Sequence, residues 1–149
     1  ERRSTTAACG TGAEWSTPLD APAMTLPLQL RGLRGATTSS DNTAASIRDA
    51  VSELVDALME QNQLQPNQLV SVTFSVTTDL DACFPAATAR HREGWGDVAL
   101  LDVQQMAVHG DLARCIRLLA HAWLPGDRPV HHPYLRGASR LRPDRSGHS

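Results

Sequence analysis

Residues 69–78, LVSVTFSVTT, alternate apolar and polar positions almost without a break. Val70, Val72, Phe74 and Val76 fall on one side and Ser71, Thr73, Ser75 and Thr77 on the other, which predicts a half-buried strand. Upstream, an extended backbone through LRGLRGATT would put Leu28, Leu30, Gly32, Arg34 and Ala36 on one face. Gln29, Arg31 and Leu33 would take the other. Between these two strands the period changes. Ile47, Val51, Leu54 and Leu58 recur at i, i+4, i+7 and i+11, one stripe of an amphipathic helix. The preceding SSDNT supplies caps, Asp49, Glu53, Asp56 and Glu60 form a solvated flank, and the helix ends near Asn62, ahead of a turn at Pro66.

Beyond residue 80 the pattern shortens. Pro85 suits the first turn of a brief helix through AATARHRE. VALLDV, residues 98–103, reads as a central strand in which Asp102 needs a partner. GDLARCIRLLAHAW, residues 110–123, sets Leu112, Cys115, Ile116, Leu119 and Trp123 at helical spacing and predicts a second amphipathic helix, with Arg114, Arg117 and His121 on its flank. A last strand runs through VHHPYLRGAS, where Pro133 marks an edge or a bulge. This order of strands and helices describes an α/β (α+β) fold. It is a single two-layer domain, with a mixed sheet and helices on one face.

Composition narrows the function more than the fold. The 149 residues carry a net charge of -2, which argues against a nucleic-acid surface, and no run reaches the length of a membrane span. Cys9, Cys83 and Cys115 form no CxxC pair, and so sparse a set suits a reducing cytoplasm. Residues 1–23, rich in Ser, Thr, Ala, Gly and Pro, read as a disordered extension and residues 24–149 as the folded domain, with a loose tail beyond Asp144.

The histidines show no metal-ligand spacing, and neither a phosphate-binding glycine loop nor a GxSxG nucleophile is present. DLD at 79–81 reads as a turn. What remains is arginine, which supplies all 14 basic side chains. Arg34, Arg90 and Arg117, with Arg142 and the only tyrosine, Tyr134, suggest a ligand bearing carboxylates, because a guanidinium grips a carboxylate with two parallel bonds. Arg34 shares the leucine face of its strand. A group that cannot deprotonate either snorkels to water from there or meets an anion.

RGLRGATT, TTDLDACFPAATAR, GW, QQMAVHGDLARCIR, HPYL and LRPD, in this order, resemble the small monofunctional chorismate mutases of the trimeric α/β (pseudo-barrel) type. The resemblance covers roughly residues 28–145, with the stretch between Arg117 and Tyr134 one residue shorter than the family's pattern. It implies a homotrimer with active sites in clefts between subunits. It also implies a Claisen rearrangement of chorismate to prephenate, in phenylalanine and tyrosine biosynthesis, with no cofactor, metal or covalent intermediate. By position, Arg117 matches the arginine donating to the ether oxygen. Arg34 and Tyr134 match contacts of the enolpyruvyl side, and Arg90 a mobile arginine at the cleft mouth. Phe84, Ala86 and Leu141 match apolar wall positions.

Three positions depart from that pattern. Gln105 stands where a glutamate accepts from the substrate hydroxyl, Asp102 where a cysteine is common, and Ala87 where a lysine is found. Asp102 restores the lost charge if the chain bends between 102 and 105; otherwise it makes a buried structural bond. The rival reading is a non-catalytic trimeric ligand-binding or regulatory module on the same scaffold. A trimeric deaminase-like protein fits the residue pattern poorly.

Overall fold

Ile47, Val51, Leu54 and Leu58 are fully buried along one face of helix α1, Ala44–Gln61, in the computed structural model, which describes residues 27–145. The expected extension over residues 1–23 therefore lies outside the described residues. Thr43 caps α1 by accepting the Ser46 N–H, and Asn62 closes it, so both helix ends follow from the local sequence.

Four strands form one mixed sheet: β1 Leu28–Thr38, β2 Leu69–Val76, β3 Ala99–Gln104 and β4 Cys115–Pro125, in the order β1-β4-β2-β3. β4 runs antiparallel to both of its neighbours, and β2 is parallel to β3. A short helix, α2, spans Pro85–Arg90. Leu33, Val72, Phe74, Ile116, Leu118, Ala120, Ala122 and Leu124 point from the sheet into a core shared with α1 and α2.

Four sequence expectations change here, the first being that VALLDV, expected as a central strand, forms the edge strand β3. Residues 115–125 are a central strand and not part of a helix. Cys115, Ile116, Leu119 and Trp123 fit a helical period, but Ile116, Leu118, Ala120, Ala122 and Leu124 also alternate, and pairing on both edges selects the strand. The expected last strand reduces to one isolated bridge between Ala36 and Tyr134, followed by a 3-10 turn over Arg136–Leu141. Pro129 and Pro133 lack the N–H groups a ladder needs. Val70 is exposed and does not join Val72 and Phe74, because the β2–β4 register shifts between Leu69 and Ser71.

The opposite face of the sheet has no layer over it among the described residues. Leu30, Arg34, Leu101, Val103, Leu119 and Trp123 lie there, with Arg117, His121 and the hydroxyls of Ser71, Thr73 and Ser75. Arg34 thus shares a face with leucines, as its position on β1 requires, but that face is open and the core takes Leu33.

Candidate active site

β1 and β4 bring Arg34 and Arg117 together. Arg34 opposes Leu119 and Ala36 opposes Arg117, so the two arginines are diagonal neighbours on the open face. That relation sets their β-carbons roughly 7 Å apart. Arg34, Arg117, Tyr134, Leu141 and Arg142 line a cavity of about 200 Å³. The segment carrying Tyr134 lies along the free edge of β1: Ala36 N–H donates to Pro133 O at 3.0 Å, and Leu135 N–H donates to Ala36 O at 2.8 Å. Arg34 N–H donates to Nδ1 of His132 at 2.9 Å.

Arg117 is half-buried. Burial works against its charge, but the Cys115 thiol and Asp111 beside it outweigh that and raise its pKa further. Its Nη2 donates to Asp111 Oδ1 at 3.1 Å. The Cys115 thiol is itself pushed up by burial, with the guanidinium pulling the other way.

Gln105 sits on this same side of the sheet. Its backbone N–H donates to Val76 O at 2.8 Å, and its Oε1 accepts the Ser75 hydroxyl at 3.0 Å. Ser75 directly opposes Arg117 across β2 and β4, so Gln105 and Arg117 approach one another through that serine.

Asp102 goes elsewhere. β3 pairs with β2 residue by residue from Ala99 to Gln104 with no shift, so Asp102 opposes Phe74 on the helix side and Gln105 points away from it. The bend that would unite them within one chain is absent. Asp102 Oδ1 accepts the Ala86 N–H at 2.9 Å, supplying the cap that Phe84 cannot give α2. Burial raises the Asp102 pKa, opposed by that N–H and by the charge of Arg90. Phe84, exposed, and Asp102 line a second cavity of about 380 Å³ with Cys83, Pro85 and Val103. Ala86 is buried and presents its N–H to Asp102 and no methyl wall to that cavity.

The expected site residues therefore fall into two groups. Arg34, Gln105, Arg117, Tyr134 and Leu141 belong to the open face and the free edge of β1. Phe84, Ala86, Arg90 and Asp102 gather at α2 and β3, the opposite edge. Three strand spacings, about 14 Å, separate β1 from β3. Asp111 and His132 lie inside the motifs that carry the resemblance but have no role assigned there, and Ser75 lies outside them; Gly110, in the left-handed region at φ 78, was the local sign of the turn that presents Asp111. Asp79 and Asp81 are engaged in the loop, Asp79 by the Thr77 hydroxyl and Arg114 N–H and Asp81 by Asn42.

Two guanidinium groups on an open sheet face, with a phenol at its edge, suit a small ligand bearing carboxylates. A family model, chorismate mutase type I, matches residues 30–145. The chain is 44% identical over 119 residues to the chorismate mutase AroH of Thermus thermophilus, covering 77% of this chain and 95% of that protein. It is 36% identical over 121 residues to the chorismate mutase AroH of Bacillus subtilis (strain 168), covering 80% and 94%. A solved chorismate mutase from Clostridium thermocellum superposes with a TM-score of 0.69 at 40% identity, covering 74% of this chain and 99% of that one. The chain belongs to the chorismate mutase type I family, which makes it an isomerase.

Proposed function

We propose that this chain rearranges chorismate to prephenate, toward phenylalanine and tyrosine, at sites completed between the subunits of a homotrimer. The diagonal pairing of Arg34 and Arg117 beside Tyr134, on a sheet face left open among the described residues, carries this reading. The substrate is a dianion whose ether oxygen gains negative charge as the carbon–oxygen bond breaks. Arg117 donates to that oxygen. Arg34 and Tyr134 hold the enolpyruvyl carboxylate, and Leu141 walls the cavity. A six-decade acceleration asks for about 8 kcal/mol, within reach of preorganised charge and a restrained near-attack conformer.

The second group belongs to a neighbour's site in this reading. Phe84, Arg90 and Asp102 lie at the far edge of the sheet from Arg34, too distant to serve the same ligand within one chain. The exposed row of Leu30, Leu119 and Trp123 supplies the apolar surface that assembly would bury. Gln105 binds the substrate hydroxyl. Among the described residues no helix is long and apolar enough to cross a membrane, and the free Cys83 and Cys115 accord with a cytoplasmic enzyme.

The test follows the loss of chorismate's diene absorbance. Wild type turns chorismate over, and Arg117→Ala lowers kcat about 10³-fold, the scale of losing one transition-state donor. The uncharged Gln105 favours the rival, a ligand-binding module without turnover. An inert but folded and assembled wild type would establish that rival and sink the mutase reading.

A further inference from the structure

Arg117 has a partner, Asp111, to which the resemblance assigns no role. Its Nη2 lies 3.1 Å from Oδ1 and 3.4 Å from Oδ2 of Asp111, with both side chains less than a third exposed. Asp111 is itself fixed. Its Oδ1 accepts the Leu112 N–H at 2.8 Å, and its own N–H donates to Val108 O at 3.1 Å. Gly110 makes the left-handed turn that presents it. Gln105, Asp111 and Arg117 line one open cavity of about 370 Å³. In that cavity Gln105 carries no charge, and its Oε1 is already engaged by Ser75.

We propose that Asp111 is a positioning residue for Arg117, and that it supplies, from the loop after β3, the negative charge that Gln105 lacks. This rests on the mutase reading above. Arg117 Nε is buried and makes no hydrogen bond among the described residues, so the guanidinium is oriented through its Nη2 contact with Asp111 and the neighbouring Cys115 thiol. Anchoring through one nitrogen leaves other donors of the fork for a ligand oxygen. A cation held this way before substrate arrives needs no reorganisation when charge develops. The partial burial of the pair separates it from a screened surface contact.

The test is a double-mutant cycle on the assembled enzyme, with steady-state chorismate turnover read for wild type, Asp111→Asn, Gln105→Glu and the double variant. Circular dichroism and sizing check each protein. Wild-type turnover comes first: its absence defeats the mutase reading, whereas an unaffected Asp111→Asn in an active enzyme defeats only the role of Asp111. The expected result is a fall of about tenfold in kcat for Asp111→Asn with KM moving less than about twofold. In the Gln105→Glu background the same substitution costs less than about threefold, because the new carboxylate takes over. Asp111→Glu retains activity within about threefold. Equal losses in both backgrounds mean that Asp111 merely supports the loop, and the proposal falls.

If Asp111→Asn does not fold, Gln105→Glu alone decides. With Asp111 already supplying the charge, a second carboxylate adds little, so kcat of Gln105→Glu stays within about threefold of wild type. A rise of about tenfold or more means that the wild-type site lacks that charge, and the proposal falls.

Discussion

The backbone N–H of Arg34 donates to the ring Nδ1 of His132, 98 residues downstream, at 2.9 Å. With the Ala36–Tyr134 bridge, this bond pins the Tyr134 segment to the strand that carries Arg34. An Nδ1 that accepts places the ring proton on Nε2. His132→Leu removes the acceptor, and kcat/KM for chorismate should drop roughly fivefold, the scale of one hydrogen bond. His132→Asn offers Oδ1 at a similar position and should stay within about twofold. Equal activity for the two variants would show that the acceptor does not matter.

Asn62 joins α1 to the segment leading into Tyr134. Its Nδ2 donates to Leu58 O at 2.9 Å and to His131 O at 2.8 Å, while its Oδ1 accepts the His131 N–H at 2.8 Å. The side chain is buried, so Asn62→Ala strands backbone groups away from water. The expected cost is about 2–3 kcal/mol in urea unfolding. A loss below about 0.5 kcal/mol would mean that water replaces the side chain.

Asp102 makes a pH prediction whose sign is fixed by burial. Its folded pKa is raised above the unfolded value, so the native state holds the proton more tightly. The stability it contributes is complete below the ordinary carboxylate pKa and is lost as pH rises through the raised value. Asp102→Asn keeps an oxygen for the Ala86 N–H and cannot ionise. Urea midpoints taken from about pH 3 to 7 should therefore shift in favour of the asparagine variant as pH increases. A difference independent of pH would remove burial as the cause.

Leu119 and Trp123 are each 44% exposed on the open sheet face, with Leu30 at 50%. Leu119 also opposes Arg34. A carboxylate there would have to be desolvated on assembly, so Leu119→Asp should elute as a single chain and lose chorismate turnover by at least about 100-fold. An assembled, active Leu119→Asp would move the subunit interface off this face.

Two elements could be read directly, for opposite reasons from the ones that could not. The α1 stripe and the β2 alternation each admit one period over their length, and local chemistry at Thr43 and Asn62 marks the helix ends. The arginine set was legible through its resemblance to a family, as chain order and spacing and not as a place in space.

The rest was decided by pairing between distant segments. Residues 115–123 satisfy both periods, and only β1 on one side and β2 on the other make the strand win. The same pairing settles which face each side chain takes: Arg34 and Arg117 become diagonal neighbours, while Asp102 on β3 and Gln105 just beyond its end part to opposite sides. Asp111 reaches Arg117 through a glycine turn that no apolar pattern announces. The sequence by itself determined which residue types are present and where local periodicity has a single solution. The tertiary structure decided which of them meet, because strand register is set by long-range hydrogen bonding that a one-dimensional pattern does not contain.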